Sequence, residues 1–189
     1  MVPGDAFFAE IDGGADPAIL REAGDLAATI LVRGARESDD PEIAERVLHL
    51  ADTEGLETLA EVWAGAPADT LAGSLWRLFL LRTWVHREPQ RVARDFYAGR
   101  RHHQVPRVIA GVAEPPGPDE LRAMVDDVLR GVAGGDLAMT LMRASAFALI
   151  VATGQAALGE VAVEESARLL TLAEQLESAG HLEMRDALA

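Results

Sequence analysis

The 189-residue chain contains no cysteine, no lysine and no asparagine, and only one tyrosine. Without cysteine, disulfides and thiolate metal sites are both excluded. All 17 basic residues are therefore arginine. Lysine and asparagine share A-rich codons, whereas alanine, glycine and arginine use G+C-rich ones. The bias reads as that of a high-G+C bacterial genome and says nothing about function.

Catalytic signatures are missing too. There is no G-x-S-x-G elbow, Walker loop or G-x-G-x-x-G, and "GVAGGD" at 131–136 lacks the Lys-Ser/Thr ending of a phosphate loop. No Glu-x-x-His occurs, so a di-iron bundle has no ligand set. Glu45 and His49 share a helix face at i, i+4, which reads as a surface or helix-pairing contact. The neighbours His102 and His103 would point about 100° apart on a helix, a poor arrangement for joint coordination. His86 and His181 have no ligand neighbours in sequence. The carboxylate pairs Asp39–Asp40, Asp126–Asp127 and Glu164–Glu165 read as solvated faces. No catalytic residue, metal or cofactor is assigned, and the expected class is non-enzymatic.

Long apolar runs are scarce. The strongest, Leu137–Ala152, is interrupted by Arg143 and falls short of the roughly 20 residues that span a bilayer. The opening "MVPGDAFFAEIDGGADP" has acids and no basic region, unlike a secretory leader. The expectation is a cytoplasmic protein without a membrane partner.

What is present is helical. Hydrophobic residues make up 49% of the chain, enough for one sizeable core. Prolines at 17, 41, 67, 89 and 118 each precede a run with helical spacing. Proline suits a first helical turn because its missing N–H would have no partner there. Ile19, Ala23, Leu26 and Ile30 fall on one face, as do Ile43, Val47 and Leu50. Leu71, Leu75, Trp76, Leu78, Phe79, Leu81 and Trp84 make a helix apolar nearly all round, and a second follows Asp136 to about Thr153. A last helix covers Val163–Glu177. Alternating strand patterns are absent, and only Val105–Val112 is ambiguous.

These signals predict an all-α, single-domain bundle of about seven to eight helices with two central apolar helices. Residues 1–15 are expected as a flexible segment, 16–180 as the domain and 181–189 as a tail. The proline-rich stretch at 113–118 is the one candidate sub-boundary.

Charge is unevenly spread. The formal net charge is −14, yet residues 77–107 hold eight of the 17 arginines against only Glu88 and Asp95. If Pro89 starts a helix, Arg91, Arg94 and Arg101 project on roughly one side, with Arg87 just before it and Val92 and Phe96 toward the core. Three readings compete for this stripe. The arginines pair internally, with Glu42, Glu45, Asp126 and Asp127 as candidate partners, or are solvated. They dock an acidic protein partner or a second copy of the chain. Or they contact nucleic acid, which the acidic flanks disfavour.

The functional expectation is an interaction or regulatory protein that docks an acidic partner, or its own second copy, through residues 86–104. The contributors would be Arg87, Arg91, Arg94, Arg100 and Arg101, with Phe96 and Tyr97 as aromatic anchors. The alternative is a ligand-binding helical domain. An anionic or amphipathic molecule would lie between the central helices near Arg77, Arg82 or Arg143, where a lone charge is otherwise costly.

Overall fold

The computed structural model describes residues 17–34, 56–101, 117–133 and 136–188. Among them are seven helices and no strand: α1 Pro17–Arg33, α2 Leu56–Trp63, α3 Leu71–Arg87, α4 Pro89–Arg100, α5 Pro118–Ala133, α6 Leu137–Leu158 and α7 Val163–Glu183. The protein is an all-α bundle. The helix expected after Pro41, the pair Glu45–His49, His102 and His103, the Val105–Val112 stretch and the segment 1–15 lie outside the described residues.

Proline punctuation works at three starts. α1, α4 and α5 begin on Pro17, Pro89 and Pro118. At α3 it does not, because the cap is Thr70, whose hydroxyl accepts the Gly73 N–H at 3.0 Å. Pro67 instead sits in the preceding turn, and its carbonyl oxygen lies 1.7 Å from where a Cβ on Gly73 would be. Glycine at 73 lets that turn fold over the start of the helix. α6 is capped by Asp136, which accepts the Met139 N–H at 3.0 Å, and it closes on Gly159 in the left-handed region.

One hydrophobic core joins all seven helices and draws on residues before and after the 113–118 stretch, such as Leu78 and Val85 with Leu121 and Val125. α3 touches each of the other six helices, and α6 packs most extensively against α7 and α4. The two apolar helices are thus sheathed by amphipathic neighbours. α6 runs on past Thr153 to 22 residues, long and apolar enough by composition to cross a membrane, with 61% of its most apolar stretch buried inside the protein.

Two further contacts set the frame. The Arg33 guanidinium forks onto the Glu183 carboxylate, tying the last turn of α1 to the last turn of α7. The Trp63 indole N–H donates to the Gly24 carbonyl at 3.0 Å, fixing α2 on α1. The expected tail at 181–189 is corrected on two counts. α7 continues to Glu183, and Leu188 returns to the core at 8% exposure.

Candidate functional site

The arginine stripe sits on α4 and its flanks. α4 lies across α6 so closely that the backbones touch at Gly99 and Gly154. That crossing brings the start of α7 and the connection before it beside the stripe. Arg91 pairs with Glu88 at 2.8 Å and with Glu165, and Asp95 lies 3.8 Å away. Arg94 meets Glu160 at 2.8 Å and Asp95 at 3.6 Å. The two central arginines are therefore bound to carboxylates of their own chain. Of the expected partners, Asp126 meets Arg82 rather than Arg91 or Arg94, while Glu42, Glu45 and the Asp127 side chain lie outside the described residues. The acids that reach Arg91 and Arg94 are Glu88 and Asp95, at and within α4, and Glu160 and Glu165, in the α6–α7 connection and the first turn of α7, which only the helix crossing brings near.

These pairs have electrostatic consequences. Burial alone would lower the Arg91 guanidinium, but Glu165 foremost, with Glu88 and Asp95, outweighs it and raises its pKa. Asp95 is 1% exposed, with Oδ2 lacking a hydrogen-bond partner. Burial pushes its carboxyl above the ordinary value, against the pull of the neighbouring Gln155 amide, Arg94 and Arg91.

Phe96 is no contact residue. It is 1% exposed and stacks on Phe147 with ring centroids 5.4 Å apart, so the helical register that turns the arginines outward turns it inward. Tyr97 is 44% exposed, and Arg87, Arg100 and Arg101 are exposed as well. The outward residues of the stripe are thus Tyr97 with Arg87, Arg94, Arg100 and Arg101, of which Arg94 meets Glu160.

Arg77, Arg82 and Arg143 do not converge. Arg82 donates to Asp126 Oδ1 at 2.8 Å, and the His86 ring lies 2.9 Å from the same oxygen. Burial would raise Asp126, but His86 and Arg82 hold its carboxyl below the ordinary range. This is a structural clasp between α3 and α5. Arg143 is half-buried on α6 and separate from the cavity described next.

Arg77 is different. Its Nε donates to Gln175 Oε1 at 2.7 Å, and one terminal nitrogen donates to the carbonyls of Gly73 at 2.8 Å and Ala66 at 3.3 Å. All three acceptors are neutral, and the second terminal nitrogen takes no part in these bonds. Burial lowers the guanidinium from its ordinary value, and Asp69 partly opposes this from a distance.

Arg77 lines an open-sided groove of about 350 Å³ between α3 and α7, together with Trp76, Leu80, Arg168, Leu172 and Gln175. Ala167 and Thr171 complete the lining, which contains no carboxylate. Arg168 is exposed and makes no ion pair among the described residues. The groove therefore offers two arginines, an apolar floor and the Trp76 ring, which is backed from outside the lining by Phe79 with ring centroids 5.8 Å apart. Of the sequence candidates it includes only Arg77. Trp76, Arg168 and Gln175 carry no local signal, because nothing along the chain announces that residue 77 meets residue 175.

Such a site can hold an anion by charge and hydrogen bonding. Among the described residues no three His, Asp or Glu side chains gather as a metal set. No family model, curated protein or solved structure matches the chain significantly.

Proposed function

We propose that this chain is a non-enzymatic binding protein that recognises an anionic group in the groove between α3 and α7. This departs from docking through the stripe, where Arg91 and Arg94 already have carboxylate partners and Phe96 is buried. It develops instead the reading of an anionic or amphipathic molecule held near Arg77.

The observation that carries it is the bonding of Arg77. A half-buried cation loses hydration, and an ion pair is the usual compensation. Arg77 has none. It is held in one orientation by Gln175, Gly73 and Ala66, none of which neutralises it. In a chain of net charge −14, a groove lined by two arginines and no acid is a local positive well that draws in anions. A volume of about 350 Å³ suits a small ligand.

The test is a titration of the isotope-labelled full chain with phenyl phosphate, followed through the Arg77 Nε–H and Trp76 indole signals. Saturable shifts at both are expected, several-fold weaker in Arg168→Glu, which reverses one charge at the groove mouth without removing a structural contact. Absence of saturation, or equal binding by that variant, would overturn the reading.

A further inference from the structure

The two arginines of the groove stand at opposite ends of it. Arg77 meets Gln175 toward the end of α7, whereas Glu165 at the start of α7 meets Arg91 just past the end of α3, so α3 and α7 are antiparallel and Arg168 lies toward the other end of the groove. Arg168 and Gln175 are seven residues apart on α7, about 10 Å along the axis.

Side-chain direction widens the gap. Long side chains on a helix lean toward its N-terminus. Arg77 does so, as its bonds to Gly73 and Ala66 record. On the antiparallel helix the same lean carries Arg168 the other way. Between the two cations the lining consists of Leu80, Thr171 and Leu172, with no acid. The pattern is cation, apolar floor, cation.

Resting on the anion-binding reading, we infer that the ligand is elongated and carries an anionic group at each end of an apolar body, the chemistry of a medium-chain aliphatic dicarboxylate. One carboxylate would meet the free terminal nitrogen of Arg77 and the other would meet Arg168, with the methylenes over Leu80 and Leu172. A single-headed amphiphile leaves one arginine unanswered. A small dianion cannot reach both.

Calorimetric titration of the full chain with decanedioate, hexanedioate, decanoate and decanol separates these cases. Decanedioate is expected to bind about tenfold more tightly than decanoate or hexanedioate, with decanol weakest. Arg168→Gln should bring decanedioate down to the decanoate level, and Arg168→Lys should restore most of the difference. Arg168 has no structural partner among the described residues, so neither variant disturbs the fold. If decanoate and decanedioate bind equally while phenyl phosphate still binds, the two-headed ligand is refuted and the anion site stands. If neither acid nor phenyl phosphate binds the folded chain, both conclusions fall.

Discussion

Gly154 on α6 packs so closely on α4 that a Cβ there would lie 1.7 Å from the Asp95 carbonyl oxygen, and a Cβ on Gly99 would lie 1.8 Å from the Ile150 carbonyl. Both obstacles are backbone, which has no rotamer with which to yield. The crossing also delivers Asp95 beside Gln155 and turns the stripe arginines toward Glu160 and Glu165. Gly154→Ala and Gly99→Ala should each therefore cost about 3 kcal/mol, the upper end for an added methyl in a packed interior, or prevent folding. Urea midpoints would measure this. A loss below about 0.5 kcal/mol in both would mean that the helices separate easily.

Asp95 and Asp126 make opposite predictions for pH. The folded state raises the Asp95 carboxyl, so its favourable contribution is complete below the unfolded value near 4 and is lost as pH rises through the folded one. The folded state lowers Asp126, so its contribution is present above that unfolded value and is lost as pH falls through the folded one. Relative to wild type, Asp95→Asn should gain stability as pH is raised from about 4 to 7. Asp126→Asn should be less stable by about 1 kcal/mol at neutral pH, a deficit that closes in acid. Denaturant melts over a pH series would check both. Parallel profiles would show that the two carboxylates do not differ as described.

Charge reversal distinguishes the stripe from the groove. Arg91→Glu places a new carboxylate among Glu88, Asp95 and Glu165, so it should destabilise the fold by about 1–3 kcal/mol. Arg168→Glu should stay within about 0.5 kcal/mol of wild type, because no carboxylate of the described residues is bound to it. Thermal unfolding of the two variants side by side is sufficient. Equal stability would return Arg91 to the pool of arginines free to meet a partner.

Much of the architecture was legible along the chain. Pro17, Pro89 and Pro118 marked helix starts because a first-turn proline sacrifices no hydrogen bond. Asp136 announced its helix through a cap three residues ahead of Met139. The α3 start was read less well, since a proline in a turn and a proline at a first helical position look alike until Thr70 is seen to cap. The end of α7 ran later than expected because its final turns are secured by Arg33, which is 150 residues away in sequence.

The site was legible only in part. Arg77 stood out as a charge inside an apolar helix. The stripe stood out through local charge density, but density does not reveal partners. Arg91 and Arg94 found theirs across a helix crossing, and Phe96 was both a core residue by spacing and an aromatic beside arginines by composition. Burial chose the first.

The face of α1 was misplaced along the chain, since Ile19 and Leu26 are exposed and Ala27, Ala28 and Ile30 are buried. The chain alone thus determined what depends on near neighbours: helix content, the proline-marked starts of α1, α4 and α5 and the two central rods, all consequences of a 3.6-residue period and of capping over a few positions. The tertiary structure decided what depends on distant ones: which arginines are neutralised and which are left facing a groove. The physical reason is range. Hydrogen bonds within a helix link residues four apart, whereas the Arg77–Gln175 contact exists only because packing the core brings α3 against α7.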